Sequence, residues 1–243
     1  MTVTMPKVIG ENEWLIAIDK PAGLIVHSDG RTHEPSLADW IAREFPALRG
    51  VGGAWVSPQG EEVPLNGLVH RLDRTTSGVL LAAKTKTSFD YLRGEFKAKR
   101  VGKKYLAWVY GRLTQKEGRI VAEIMRTSVR PKRWYARPTT GDDSRAAITG
   151  WKLIKTKDEA SLLEVEPKTG RTHQIRVHLA YFGHPIIADH MYAANREPIL
   201  GFTRPALHAE SIALVLPNGM HAGFEAPLPP DFEVAESVSQ IER

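Results

Sequence analysis

The 243-residue chain contains no cysteine. That excludes disulfides, thiolate zinc sites and a cysteine nucleophile, and it fits a reducing compartment. Long apolar runs are missing too. No stretch approaches the roughly 18 apolar residues that a membrane span needs. Residues 1–12 hold no apolar core of the kind a secretory signal carries. Internal repeats and low-complexity segments are also absent. The expectation is a soluble cytoplasmic protein with no membrane partner.

What is present is an apolar share of 42%, enough to bury a core, and a formal net charge of +5. The positive excess favours a polyanionic partner, and its distribution says more than its total. Two stretches concentrate it. Residues 93–112 carry Arg93, Lys97, Lys99, Arg100, Lys103, Lys104 and Arg112 against Glu95 alone. Residues 125–137 carry Arg126, Arg130, Lys132, Arg133 and Arg137 with Trp134 and Tyr135 and no acid. Cations interleaved with aromatic rings suit a single nucleic-acid strand, since the charges track phosphates and the rings stack on bases. The same residues would also serve a solvated loop pinned down by its aromatics.

Residues 67–78 form the most chemically dense loop. Between Gly67 and Gly78 lie His70, Arg71, Asp73, Arg74, Thr75, Thr76 and Ser77, and the apolar run 79–83 follows as a buried strand. A loop feeding directly into a core strand is held still by its scaffold. Asp73 is its only acid, and Arg71 and Arg74 flank it, which favours the ionised form. That suits a nucleophile or base better than an acid. An ordinary turn or cap would use the same residue types.

Periodicity and punctuation give an α+β layout of a bent, mixed or mostly antiparallel sheet with a few helices. Residues 1–10 read as a loose leader and 14–18 as a strand. Ser36 and Asp39 form a capping box before a helix over 37–45, stopped by Pro46. The Gly- and Pro-rich segment 46–66 reads as a long loop, functional or mobile. Thr85 caps a helix running to Phe96, with Phe89, Leu92 and Phe96 on one stripe. Strands are expected over 100–111, 119–124, 144–154, 160–166, 206–209, 211–216 and 220–226. Ile175, Leu179 and Phe182 mark a helix whose first turn holds Arg171, Thr172, His173 and Gln174 and whose stop is Gly183. The tail reads as a short surface helix.

His70-Arg-Leu-Asp73 followed by Thr76-Ser-Gly78 resembles the signature of the RluA family of pseudouridine synthases, in which this Asp is catalytic. Further segments resemble that family in the same order. Residues 19–24 are similar to its first motif, with a Lys-Pro turn at Lys20. Residues 104–111 resemble its tyrosine-bearing strand, which implies that Tyr105 stacks on the target base and serves in proton transfer. Residues 170–178 resemble its basic motif, which implies that Arg171 pairs with the catalytic Asp. Residues 207–209 resemble a late cleft segment containing His208. The resemblance runs from about residue 8 to residue 226. It implies a single pseudouridine synthase catalytic domain over residues 1–243, with a central active cleft. The first core motif starts near Trp14, which leaves no room for an N-terminal S4 domain.

The resemblance implies isomerisation of uridine in tRNA or ribosomal RNA to pseudouridine. Asp73, Tyr105 and Arg171 would be catalytic. RNA or substrate would be bound by Arg71 (the family residue that fills the gap left in the RNA) together with His70, Thr76, His173, Arg176, Arg130, Arg133, Lys104 and His208. The reaction breaks an N-glycosidic bond, turns the uracil and joins C5 to the sugar. No electron or phosphoryl group moves, so neither cofactor nor metal is expected. A carboxylate could act covalently or as a base at the 2′ position, and the target base must leave its stack. The expected partner is an RNA stem-loop and the expected state a monomer. Two rivals remain at this point. A non-catalytic RNA-binding protein would share the fold. A metal-dependent hydrolase would use its several His residues with Asp189, but the spacing of His173 and His178 misses the i, i+4 pairing of a zinc-binding helix.

Overall fold

The computed structural model describes residues 5–28, 34–57, 60–128, 133–139 and 146–237. In chain order the strands and helices are β1 (Lys7–Glu11), β2 (Leu15–Lys20), α1 (Leu37–Glu44), β3 (Ala54–Val56), β4 (Glu62–Pro64), β5 (Ser77–Ala83), α2 (Lys86–Lys97), β6 (Gly102–Tyr110), β7 (Glu117–Arg126), β8 (Trp134–Arg137), β9 (Ala147–Lys157), β10 (Ala160–Pro167), α3 (Gln174–Tyr181), β11 (Leu207–Val215), β12 (His221–Glu225) and α4 (Pro230–Ser237). The chain divides into two compact units. One comprises residues 1–102 and 209–227, the other residues 103–208 and 228–243. The mostly antiparallel strands and the four helices among the described residues make an α+β fold, as the sequence pattern implies.

In the first unit the strand order is β1-β2-β5-β11, with β12 paired to β11. Every residue of β5 is buried, which is why its sequence is a continuous run of apolar and small residues. Both expected helix starts form. Ser36 accepts from the Asp39 amide at 3.2 Å while the Asp39 carboxylate accepts from the Ser36 amide at 2.9 Å. Thr85 and Ser88 cap α2 in the same reciprocal way. Residues 7–11 are a strand rather than a leader, paired antiparallel with β2. Gly10 makes room there, because a Cβ would sit 2.6 Å from the Phe224 ring. Segment 46–66 is likewise structured. It holds a short 3-10 turn and the β3–β4 hairpin. Its end is tied to α1 by the buried Asn66 side chain, which donates to Ala38 O at 3.0 Å and accepts from Gly50 N at 3.1 Å.

In the second unit the order is β6-β10-β9-β7-β8, antiparallel at each step. Trp108, Leu163, Leu179, Phe202 and Phe232 are among the buried side chains of its core. Three expectations change here. The basic segment 125–137 is largely a hairpin, with Met125 opposite Tyr135 and Arg126 opposite Trp134. Arg130 and Lys132 lie outside the described residues. The tail helix α4 is not merely superficial, since Phe232 and Ala235 are buried and Phe232 meets Phe202 edge-on at 5.2 Å. The two strands expected over 206–209 and 211–216 are one unbroken strand, β11, over Leu207–Val215.

Candidate active site

The first unit presents the loop leading into β5. Asp73 is half-buried there and Arg71 exposed. The loop closes on itself, the Thr76 amide donating to Asp73 O at 3.1 Å. It is also fastened from below. The Arg74 carbonyl accepts from the Gly23 amide at 2.8 Å and from Lys20 Nζ at 3.2 Å. Lys20 is fully buried, and its ammonium donates as well to Pro21 O and Leu24 O, each at 2.8 Å. The Lys-Pro turn therefore grips the Asp73–Arg74 segment and encloses a positive charge beneath it. An enclosed ammonium is tolerated because strong acceptors replace its water.

The cations that flank Asp73 in sequence also meet other groups. Arg74 turns its fork onto Glu34. Arg71 lies near His27, whose pKa is held down first by burial and further by that guanidinium. His70 serves the scaffold: its Nε2 accepts from the Leu81 amide at 3.0 Å, and its ring stacks on Phe96 at 4.6 Å. Thr76 is buried.

The second unit presents β6 and the turn before α3. Tyr105 is half-buried against the core, opposite Val165. Its neighbour Lys104 is exposed and pairs with Glu164 at 2.9 Å. Arg133 is exposed at the loop end of the β7–β8 hairpin, its carbonyl accepting from the Thr127 amide at 2.8 Å. Arg171 is exposed as well, but it precedes α3 instead of opening it. His173 stands at the helix start with φ +54°, a left-handed conformation that costs a non-glycine residue about 1 kcal/mol. It makes no side-chain cap to the helix. Its Nδ1 instead meets the Tyr192 hydroxyl at 2.9 Å.

Tyr192 leads to a buried ion pair. Arg176 donates from Nε to Asp189 Oδ2 at 2.7 Å and from Nη2 to Oδ1 at 2.9 Å, and its guanidinium lies 5.1 Å from the Tyr192 ring centroid. Asp189 Oδ1 also accepts from the amides of Met191 and Tyr192. This engages the fork of Arg176, an expected RNA contact, with Asp189 inside the protein. It also gives Asp189 a role other than metal ligation. Among the described residues no three His, Asp or Glu side chains converge as metal ligands would. His208 is buried too, tilted against Phe232 at 6.0 Å.

Gln174 is the residue the periodicity misplaced. It opens α3 rather than ending its first turn, and it is buried, with its amide bonded to Thr169, Arg171, Ile148 and Thr149. Thr149 in turn meets Nδ1 of the buried His178 at 2.9 Å. Burial pushes the His178 pKa down to about 4. A depression of about 500 Å³ in the same unit is lined by Glu117, Arg119, Lys152, Glu164 and Glu166 among others. Its three carboxylates against two cations make it a poor seat for phosphates, and it includes no residue of the expected site.

Comparison with known proteins bears on these loops directly. Residues 14–181 match the family model described as RNA pseudouridylate synthase. The chain is 33% identical over 227 residues to an uncharacterized RNA pseudouridine synthase of Synechocystis sp., a match covering 93% of this chain and 66% of that protein. It is 31% identical over 236 residues to ribosomal large subunit pseudouridine synthase D of Zymomonas mobilis, covering 94% of this chain and 71% of that protein. The chain thus spans about two thirds of the length of these curated relatives. The solved structure of human RNA pseudouridylate synthase domain containing 1 shares the fold with a TM-score of 0.71 at 24% identity, over 93% of this chain and 84% of that one. With the matched region holding both the Asp73 loop and the Arg171 turn, the chain belongs to the RNA pseudouridylate synthase family.

Proposed function

We propose that this protein is an RNA pseudouridine synthase in which Asp73 is the catalytic carboxylate. The observation that carries this reading is the loop of residues 67–78. It presents a half-buried carboxylate from the start of a wholly buried strand, fastened through the Arg74 carbonyl by the enclosed Lys20 ammonium. A nucleophile or base held on so rigid a support loses little to reorganisation when it reacts.

In this reading Asp73 attacks the sugar or removes its 2′ proton, and either course frees the uracil from its N1 bond. The uracil turns and C5 bonds to C1′, after which the C5 proton must leave. Tyr105 offers a flat ring on which a flipped base can stack and a hydroxyl for that proton. Arg171 supplies a fixed positive charge with fork geometry suited to a carboxylate. Arg71 and Arg133, exposed and basic, suit the phosphates of the RNA. The relatives named ribosomal large subunit pseudouridine synthase D point to ribosomal RNA as the first substrate to try.

The test is pseudouridine mapping of total RNA by carbodiimide-dependent reverse-transcription stops, in cells lacking the gene and complemented with wild type or Asp73→Asn. We expect at least one uridine whose modification vanishes on deletion and returns with wild type only. Modification restored by Asp73→Asn would remove Asp73 from the catalytic role. No change at any uridine would favour an RNA-binding protein of the same fold.

A further inference from the structure

The turn carrying Arg171 is clamped by one side chain. Gln174 Oε1 accepts from the Arg171 amide at 3.0 Å and from Thr169 Oγ1 at 2.7 Å. Its Nε2 donates to Ile148 O and to Thr149 Oγ1, each at 3.0 Å. A primary amide has two acceptor sites and two donor hydrogens, so this one is saturated. Its orientation is also fixed by its partners. Turning the amide over would set an NH₂ group against the Arg171 amide and a carbonyl oxygen against Ile148 O, two repulsive contacts. The backbone adds a second closure, Gln174 N donating to Arg171 O at 3.1 Å.

The partners of Gln174 are themselves tied down. Thr169 Oγ1 accepts from the Ile148 amide at 3.0 Å, so its one hydrogen is left for Gln174. Thr149 is fully buried, and having accepted from Gln174 it can give its own hydrogen to His178 Nδ1. The result is a buried polar chain from α3 through β9 to the amide of Arg171. A buried polar chain costs desolvation at every member and repays it only when complete. Beside it the backbone keeps His173 left-handed. Costs of this kind persist where the surroundings over-determine a conformation.

We infer that Gln174 is a positioning residue: through its bond to the Arg171 amide and its anchorage on Thr149 and Thr169, it sets where the exposed Arg171 guanidinium stands. The inference rests on the reading that Arg171 serves pseudouridine formation. Gln174 touches no substrate. It acts through Arg171 alone, and that makes the claim testable by a cycle.

The experiment measures tritium released from unmodified ribosomal RNA made with uridine tritiated at C5, for wild type, Gln174→Met, Arg171→Ala and the double variant. Methionine keeps length and bulk and loses all four hydrogen bonds. Gln174→Met should lower kcat by about 10- to 100-fold with KM changed less than about 3-fold, the effect of a misplaced group. With Arg171 already alanine, the same change should lower kcat by less than about 2-fold. Losses that multiply in the double variant, or an unchanged kcat in a folded Gln174→Met protein, overturn the inference. Should Gln174→Met fail to fold, Thr149→Val takes its place in the cycle, with Thr149→Ser expected to restore kcat because it keeps the hydroxyl. A second readout needs no activity. The Arg171 amide should exchange with deuterium at least about 10-fold faster once its acceptor is gone, and unchanged protection overturns the clamp. A wild type that releases no tritium from ribosomal RNA or from tRNA labelled in the same way overturns the pseudouridine synthase reading, and amide exchange still decides the clamp.

Discussion

At the scale of single residues, His178 carries a consequence for stability. It is fully buried, and burial holds its pKa near 4, against about 6.5 for an unfolded histidine. The direction follows from proton counting. Between those two values the unfolded chain binds a proton that the folded chain refuses, so stability is complete above pH 6.5, falls as pH drops and levels off below about 4. The full span is worth about 3 kcal/mol. Replacing His178 with Gln should flatten this part of the profile. Urea unfolding at pH 7 and pH 5 should show a loss smaller than in wild type by about 2 kcal/mol. Equal losses in the two proteins would place the acid sensitivity elsewhere. The two extremes of legibility also meet at this scale. Asp73 was readable because its loop is contiguous in sequence, with glycines at both ends. Gln174 was not, because its partners Ile148 and Thr149 come from β9 and become neighbours only once α3 docks on the sheet. Periodicity placed it one turn too far into a helix. The shift arose because the left-handed His173 delays the start of α3, and nothing in the residue type announces that conformation.

At the scale of elements, caps and buried strands were legible and pairings were not. Ser36 with Asp39 and Thr85 with Ser88 are i, i+3 contacts, so the sequence contains the whole motif. The β1 strand and the β7–β8 hairpin were missed because their residues are too polar to alternate cleanly, although each pairs with its neighbour in the chain. The junction at the head of β5 shows how tightly an unseen partner can constrain an element. Gly78 has φ +115°, and a Cβ there would lie 2.0 Å from the Ala209 carbonyl oxygen. Both objections are to backbone, which cannot rotate away. Gly78→Ala should therefore cost about 3 kcal/mol or more, read as a fall in the urea midpoint or as insoluble protein. A variant within about 1 kcal/mol of wild type would mean that β5 and β11 can part without harm.

For the molecule as a whole, neither compact unit is continuous in sequence. The first takes residues 209–227 from late in the chain, and the second is completed by residues 228–243. Phe232 is the part of that last segment that matters most, being buried against Phe202 in the core of the second unit. Phe232→Ala should destabilise by about 3–5 kcal/mol, the usual cost of emptying a buried phenylalanine site, which calorimetry would register as a lowered transition. A change under about 1 kcal/mol would make α4 dispensable.

The same discontinuity bears on synthesis. Asp73 leaves the ribosome more than a hundred residues ahead of Ala209, the backbone neighbour of Gly78 at the head of its own strand. At translation rates of about 5–20 residues per second, that interval lasts several seconds or more. Throughout it β5, buried along its entire length in the finished fold, waits with one edge uncovered by β11. The strand that follows the Asp73 loop is thus the one the growing chain leaves unfinished longest, and the nascent protein has no completed Asp73 support until Ala209 and the rest of β11 have been made.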